Sequence, residues 1–267
     1  MPQPPEDRAA PGLHNLRDVG GVPTSDGRRV RRGRLYRSDA PILGDPEPPL
    51  RPWPPRTVVD LRSAGEAAAE RHPLASATTE VVNIPLMPQL DPARMAQRQT
   101  REPPDLPTIY RGMLRASAEA LARVVDVVAH RPAPVLLHCA AGKDRTGVAT
   151  AVTLAAIGAC PEAIVADYLR TEERLDGLLD RIALGWSPAQ LEASMHRLTV
   201  ERPDLMRAPV EAVQAVLDTL EAWPGGASGW LGDHGLAPGA IETLRRGLTE
   251  PLPAEDVAPA TARQARE

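Results

Sequence analysis

The chain has 267 residues, with 35 acidic and 31 basic side chains and a net charge of −4. This length suffices for one large domain or two small ones, and the balanced charge gives no sign of a surface that binds nucleic-acid phosphates. The two cysteines, Cys139 and Cys160, are too few for a disulfide framework or a four-cysteine zinc site, and they fit a reducing compartment.

The beginning of the sequence, MPQPPEDRAAPG, lacks the basic segment and apolar run of a signal peptide. No apolar stretch approaches the roughly 18 residues that a membrane span needs. We therefore expect a cytoplasmic protein without stable membrane insertion, while export by a route that needs no signal peptide stays open. Residues 1–11 and 251–267 are rich in proline, alanine and charge, which predicts flexible tails around one domain of residues 12–250.

Strand and helix patterns alternate along most of the chain. A turn at 24–27 inside residues 13–39 predicts a hairpin. Strands are then predicted over 57–61, 80–86 and 134–137, and helices over 65–71, 108–130 and 146–157. Residues 161–248 are helical in pattern throughout. The alternation predicts an α/β fold with a mostly parallel central sheet flanked by helices, and with a helical C-terminal elaboration.

The most informative segment is LLHCAAGKDRTG at residues 136–147, which runs from a strand through a loop of small residues into a helix. Small side chains at Ala140, Ala141 and Gly142 let backbone N–H groups converge on one point, and the helix adds its N-terminal donors. These features predict an anion cradle. Cys139 begins the loop and Arg145 follows six residues later, where its planar guanidinium can bind two oxygens of a phosphoryl group.

Cysteine attacks phosphorus only as a thiolate, which cationic neighbours and a helix N-terminus stabilise. Lys143 and Arg145 supply positive charge beside Cys139, and Lys143 is the only lysine in the chain. Thr146 is expected either to donate its hydroxyl to the sulfur or to cap the helix.

Two other loop chemistries use similar residues. A Walker A phosphate loop would need a glycine where Leu137 stands and a serine or threonine where Asp144 stands, so that pattern fails twice. Sulfur transfer through a cysteine persulfide also uses a cysteine in a cationic loop, but Thr146 disfavours it.

HCAAGKDRTG resembles the HC-x5-R-T loop of cysteine-dependent tyrosine and dual-specificity phosphatases, in the variant with Lys and Asp inside the loop that bacterial enzymes also active on phosphoinositides carry. Further segments are similar to the mycobacterial protein tyrosine phosphatase B type: NLRDV at 15–19, GRLYRS at 33–38, VDLRS at 59–63, IVADYLR at 164–170 and GWL at 229–231. The resemblance implies the cysteine-phosphatase fold. It also implies a phosphocysteine on Cys139, phosphate binding by Arg145, a broad substrate range set by Lys143 and Asp144, and helices after Tyr168 that form a lid.

Release of the leaving group needs a general acid, and three aspartates are candidates. Asp60 ends a predicted parallel strand, at the sheet edge that should also carry the cysteine loop. Asp144 lies within the loop, and Asp105 lies 34 residues before Cys139 in a setting that also suits a helix N-cap. We rank them in that order, with Asp60 first. His138 is expected to order the loop through a hydrogen bond.

Other polar residues near these motifs are interpreted without a catalytic role. Surface ion pairs, or places at the entrance of the site, are predicted for Arg17, Asp18, Arg37 and Arg62. Asp167 and Tyr168 are assigned to helix packing.

The sequence therefore predicts a phosphomonoesterase that needs no metal and no cofactor, with phosphorylated proteins or phosphoinositides as substrates and no nucleic-acid partner. Its catalytic residues are Cys139, Arg145, Asp60, Asp144, Lys143 and Thr146, and residues 140–145 bind the substrate. Protein phosphotyrosine is the expected substrate. A phosphoinositide phosphatase and a non-catalytic phosphate-binding module remain as alternatives.

Overall fold

The computed structural model describes residues 12–67, 71–87, 104–175, 177–178, 181 and 207–253. Its strands are β1 (Arg17–Asp18), β2 (Arg28–Val30), β3 (Leu35–Ser38), β4 (Thr57–Asp60), β5 (Glu80–Asn83), β6 (Val135–His138) and β7 (Thr249–Pro251). Its α-helices are α1 (Leu106–Ala116), α2 (Ala118–His130), α3 (Asp144–Ala156), α4 (Pro161–Leu169), α5 (Val210–Glu221), α6 (Gly226–Asp233) and α7 (Ala240–Leu248).

The central sheet has five strands in the order β1-β3-β6-β4-β5. The strands β3, β6, β4 and β5 are parallel to one another, and β1 pairs antiparallel with β3 at one edge. This mostly parallel sheet with flanking helices confirms the predicted α/β fold class.

The parallel strands end in register at one edge of the sheet. Ser38 and Asp60 both lie opposite His138, and Asp60 lies opposite Asn83 on its other side. Because the loop after β6 leaves from the middle of this edge, residues that follow β3 and β4 lie on either side of it. The predicted proximity of Asp60 to the cysteine loop is therefore confirmed.

The two faces of the sheet bury different residues. Val59 and Leu137 belong to the large core formed with the helices. Their neighbours Val58 and Leu136 point to the opposite face with Tyr36, where partly buried side chains cover them: Leu16, Leu50, Trp53, Leu74 and Val81. Both faces of the central strands are thus buried, as the continuous apolar runs of these strands predict.

Helix α3 lies in the interior and packs against α1, α2, α4, α5 and α6. It is built largely from small residues, and every residue from Arg145 to Leu154 is buried. A side chain at Gly147 would begin 3.1 Å from the ring of Tyr168, so this glycine permits the close approach of α4.

The single helix predicted over 108–130 is wrong, because Ser117 interrupts it between α1 and α2. Its backbone has φ −125° and ψ 24°, outside the helical range, and its hydroxyl accepts a hydrogen bond from the N–H of Met87. The local sequence gives no sign of this break, since the bond joins residues that are 30 positions apart.

One further prediction needs correction. The described residues 65–67 of the helix predicted over 65–71 lie in a turn, with the carbonyl of Ser63 accepting from the N–H groups of Glu66 and Ala67, and residues 68–70 lie outside the described part.

The predicted hairpin is confirmed. On either side of the turn at 24–27, Pro23 pairs antiparallel with Arg29, and the N–H of Val30 donates to the carbonyl of Val22. β2 also pairs with β7, in a two-stranded sheet separate from the central one.

Within the described residues, no helix combines the length and the apolar character needed to cross a membrane. Most of the segment predicted to form a lid lies outside the described residues, as do residues 1–11 and 254–267 of the predicted tails.

Candidate active site

The carbonyl groups of the loop between β6 and α3 contact hydrogen-bonding groups of the surrounding protein. The carbonyl oxygen of Cys139 lies 3.3 Å from Nδ1 of His138, and that of Ala140 accepts from the N–H of Ala40 at 3.0 Å. The next two carbonyls, of Ala141 and Gly142, accept from Nδ2 of Asn15 at 3.1 and 3.0 Å.

The orientation of the loop's N–H groups follows from these bonds. In a trans peptide the N–H points opposite to the carbonyl of the preceding residue. The N–H groups of residues 140–143 therefore point to the other side of the loop, and none of them is a donor in the hydrogen bonds between described residues. They form a row of free donors that continues into the first turn of α3, whose N–H groups also have no intrahelical partner. This arrangement has the geometry expected of the predicted anion cradle.

Gly142 is required for the shape of this loop. Its φ is +66°, and a Cβ at this position would lie 2.4 Å from the carbonyl carbon and oxygen of Ser38. Because the loop crosses the end of β3 this closely, no side chain fits at residue 142.

Cys139 lies at the base of the loop and is 2% exposed. The guanidinium of Arg145 binds both carboxylate oxygens of Glu66, at 2.6 and 2.7 Å. Burial by itself would lower the pKa of Arg145, but the hydrogen bonds that Arg145 donates to Glu66 and its electrostatic interactions with Cys139 and Glu66 raise it above its ordinary value. The guanidinium is therefore fixed as a cation, within electrostatic range of Cys139.

A buried ion cluster supports the loop from behind. Asp167 pairs with Nε of Arg17 at 2.9 Å and with Nη1 of Arg37 at 2.7 Å, and Nη2 of Arg37 donates to the carbonyl of Gly142 at 2.9 Å. Burial would raise the pKa of Asp167, but the two guanidiniums lower it to about 2. The surface ion pairs predicted for Arg17 and Arg37 are wrong, because both residues are buried at 4% and 1% exposure.

Asp60 does not suit the proposed role of general acid. It is 3% exposed, and Nε and Nη2 of Arg62 bind its two carboxylate oxygens at 3.0 and 2.8 Å. Burial opposes ionisation, but the charges of His138 and Arg62 and the hydrogen bonds from Arg62 hold the pKa of Asp60 below its ordinary value. A carboxylate that is ionised and paired in this way has no proton to donate.

Asp144 begins α3, and its side chain is 32% exposed. Its Oδ1 atom accepts a hydrogen bond from Tyr110 and pairs with Nζ of Lys143, both at 2.8 Å. Burial and the charge of Asp144 raise the pKa of Tyr110 well above its ordinary value, so the phenol keeps its proton and donates it. Tyr168 extends this chain with its hydroxyl 2.9 Å from that of Tyr110, a contact beyond the helix packing that the sequence predicts for it.

The remaining predicted residues have different surroundings. Lys143 is buried, and besides Asp144 its Nζ contacts the carbonyl of Arg207 at 2.9 Å. Thr146 is not the helix N-cap, because α3 begins at Asp144 with Lys143 as its cap. The Thr146 hydroxyl is buried without a hydrogen-bond partner among the described residues, and its donation to sulfur stays a prediction. Asp105 caps α1 by accepting from the N–H of Thr108.

Comparison with known proteins agrees with this geometry. Residues 9–250 match the model of a family described as the tyrosine phosphatase family. The chain belongs to this family. A protein of Cupriavidus necator named "Putative tyrosine-protein phosphatase" is 36% identical over 196 residues, which are 65% of this chain and 69% of that protein. The "Triple specificity protein phosphatase PtpB" of Mycobacterium tuberculosis is 27% identical over 282 aligned positions, covering 89% of this chain and 97% of that protein.

This tyrosine phosphatase uses several residues that the sequence analysis missed or placed elsewhere. Glu66 binds Arg145, and it lies within the segment for which the sequence predicts a short helix. Asn15, Arg37 and Asp167 hold the loop, and the segments quoted for the family resemblance contain all three. The polar residues within those segments were the only sequence signal for a role in the site. The order of the segments along the chain does not show that these side chains meet behind one loop.

His138 gives the structure a testable dependence on pH. Burial lowers its pKa to about 4, with Asp60 raising it and Arg62 and His72 lowering it further. Because the unfolded pKa is about 6.5, protonation favours the unfolded chain. Stability is therefore complete above about pH 6.5, falls as the pH drops towards 4, and loses on the order of 3 kcal/mol of unfolding free energy by that point.

Urea unfolding between pH 7.5 and 4.5 measures this loss, and an NMR titration of the histidines assigns it. The matched variants are His138→Gln, which should lose most of the pH dependence, and His130→Gln, which should keep it because His130 is exposed. A wild-type unfolding free energy that stays constant over this range would contradict the analysis.

Proposed function

We propose that this protein-tyrosine phosphatase hydrolyses phosphomonoesters through a phosphocysteine on Cys139, with phosphotyrosine in proteins as its main substrate. The observation that carries the proposal is the row of N–H groups at residues 140–143, which point away from their bound carbonyls. Together with the first turn of α3, these donors suit the three non-bridging oxygens of a phosphoryl group.

The first step transfers the phosphoryl group to the enzyme. The thiolate of Cys139 attacks phosphorus, an S–P bond forms, and the P–O bond to the leaving group breaks. The proposed proton donor to the departing oxygen is Asp144. Arg145 and the loop amides stabilise the negative charge that spreads over the equatorial oxygens in the transition state.

The second step returns the enzyme to its starting state. Asp144, now a carboxylate, accepts a proton from a water molecule, whose oxygen attacks phosphorus. The P–S bond breaks, the electron pair returns to the sulfur as a thiolate, and inorganic phosphate leaves. Donation from the Thr146 hydroxyl is proposed to stabilise that thiolate.

The choice of Asp144 as proton donor depends on its partial exposure and on its partners. Tyr110 and Lys143 both contact Oδ1, so Oδ2 is the atom that can carry the proton. Asp60 has both oxygens bound by Arg62, and Asp105 is used as a helix cap. Among the three candidates, Asp144 alone lies within the cradle.

Arg145 acts as a fixed cation in this proposal. Glu66 holds the guanidinium of Arg145 through two hydrogen bonds, and burial keeps this side chain out of solvent. The guanidinium is thereby fixed in one plane for bidentate pairing with a phosphoryl group. The guanidinium is thus oriented before the substrate arrives, so little reorganisation accompanies the transition state.

Cys139→Ser should abolish hydrolysis of p-nitrophenyl phosphate while inorganic phosphate still binds, because a serine hydroxyl stays protonated where the thiol ionises. EDTA should leave wild-type activity unchanged, since no step uses a metal. The matched control is Cys160→Ser, which should remain active because Cys160 is at the start of α4, away from the loop. Turnover by Cys139→Ser would refute the phosphocysteine, and a wild-type protein that binds phosphate without turnover would favour the non-catalytic module.

Asp144→Asn should lower kcat, and the loss should be larger for substrates whose leaving group is more basic. The expected loss is about 100-fold or more for a phenyl phosphate, since general acid catalysis contributes roughly 10²–10⁴. A dinitrophenyl phosphate, whose leaving group needs no proton, should lose little. Asp105→Asn is the matched control because asparagine also caps helices. An equal loss on both substrates in Asp144→Asn would argue against a proton-transfer role.

Comparison of kcat/KM on a phosphotyrosine peptide, a phosphoserine peptide and a soluble phosphoinositide tests the substrate class. We expect the phosphotyrosine peptide to be the best of the three. The similarity to a relative named a triple specificity phosphatase supports a substrate range wider than phosphotyrosine. A higher kcat/KM on the phosphoinositide would instead support the lipid phosphatase alternative.

A further inference from the structure

A pair of histidines lies directly behind the nucleophile. His138 ends β6 and is completely buried, and its Nε2 atom lies 3.0 Å from Nε2 of His72. The opposite ring nitrogen of His138, Nδ1, lies 3.3 Å from the carbonyl oxygen of Cys139. His72 therefore connects to the catalytic loop through one intervening ring.

The position of each proton follows from one backbone contact. The N–H of Leu74 donates to Nδ1 of His72 at 3.2 Å. A neutral imidazole has one donor and one acceptor nitrogen, so Nε2 of His72 carries the proton and donates to Nε2 of His138. Nδ1 of His138 must then carry the other proton, and it donates to the carbonyl of Cys139.

We propose that His72 is a positioning residue, which fixes the tautomer of His138 and thereby the orientation of the peptide between Cys139 and Ala140. This inference rests on the proposed function, because it concerns the loop that binds the phosphoryl group. The carbonyl of that peptide is held by His138, so its N–H at Ala140 points into the cradle.

The other tautomer of His138 would disturb the loop. A proton on Nε2 would have Asp60 as its nearest acceptor, at 3.8 Å, which is too long for a hydrogen bond. The lone pair of Nδ1 would then face the carbonyl oxygen of Cys139, so that a hydrogen bond would be replaced by repulsion. His72 prevents this by offering a donor to Nε2.

Burial leaves both rings neutral near pH 7. Among the described residues, Asp60 and Arg62 are the charged groups that act on both rings, and they are paired with each other at 2.8 Å. Burial lowers the pKa of both His72 and His138. The hydrogen-bond chain therefore operates between uncharged rings.

The same three side chains could be interpreted as a metal site, because Asp60, His72 and His138 each place a possible ligand atom within 4.8 Å of the others. The hydrogen bonds oppose this reading. Arg62 occupies the carboxylate of Asp60, and the contact from Leu74 puts the proton of His72 on Nε2, the atom that a metal would need bare.

The direct test is the ¹⁵N NMR spectrum of the histidine rings in the wild-type protein near pH 7.5. We expect His72 to be protonated at Nε2 and His138 at Nδ1. A His72 ring protonated at Nδ1 would overturn the proposal, and so would stoichiometric Zn²⁺ binding that is lost in both His72→Phe and His138→Gln. Neither measurement depends on turnover. The proposal for His72 can therefore fail or hold independently of the proposed phosphatase activity, which the hydrolysis assays test.

Variants test the consequence for the loop. In a Cys160→Ser background, His72→Phe should raise the midpoint of the pH–rate profile for alkylation of Cys139 and lower kcat/KM on p-nitrophenyl phosphate about tenfold, the value of one hydrogen bond near 1.4 kcal/mol. His72→Gln should restore most of both, because its amide can accept from Leu74 and donate to His138. The matched control is His130→Phe, at an exposed ring, which should change neither.

Circular dichroism establishes that each variant is folded before its chemistry is compared. A folded His72→Phe with the wild-type alkylation profile and the wild-type tautomer of His138 would overturn the proposal. A folded His72→Gln variant as impaired as His72→Phe would also do so, because restoring an acceptor and a donor at residue 72 would then have recovered nothing.

Discussion

The shape of the loop between β6 and α3 depends on hydrogen bonds that its carbonyl groups make on the side opposite to its free N–H groups. A free loop of small residues has no preferred direction for its peptides, and turning several N–H groups towards one point costs conformational entropy. Here the carbonyls of residues 140–142 are bound by neighbouring segments, and that of Cys139 lies 3.3 Å from Nδ1 of His138. The N–H groups are therefore oriented in advance, which is the condition for strong electrostatic stabilisation of a transition state.

The supporting cluster of Arg17, Arg37 and Asp167 shows how distant segments contribute to one loop. The carboxylate lies between two guanidiniums, and the surplus positive charge is directed towards carbonyl oxygens of Asn15, Gly142 and Asp167. Burying three charges is expensive unless their donors and acceptors are paired. Here the side-chain nitrogens and oxygens of the three residues have partners among the described residues, except Nε of Arg37. The sequence segments that resemble the family lie far apart in the chain, but they converge here, so their shared residues serve the shape of the loop as well as its chemistry.

The sequence predicted the parts of the molecule that depend on local patterns. The strands β4, β5 and β6, the helix α3 and the position of Cys139 beside Arg145 follow from apolar runs and from one strand–loop–helix segment. The rule that parallel strands end at a common edge also placed Asp60 near that loop.

The sequence could not show which partner each charged side chain has. Arg62 follows Asp60 by two residues, yet only the folded geometry shows that it binds both oxygens, and Glu66 gave no sign of its pairing with Arg145. The break at Ser117 was missed for the same reason, since its partner Met87 is remote in sequence.

The contrast between Asp60 and Asp144 shows why proximity to the nucleophile does not identify a general acid. A carboxyl group that alternates between acid and base must be able to exist in both protonation states near neutral pH. Complete pairing with a guanidinium favours the ionised form so strongly that Asp60 instead serves the charge balance behind His138. Asp144 has one oxygen outside its contacts, and its side chain is 32% exposed. Lys143 and Tyr110 contact the other oxygen, which links the loop to α1. In the proposed mechanism, Asp60 therefore supports the loop, and Asp144 is the residue assigned to proton transfer.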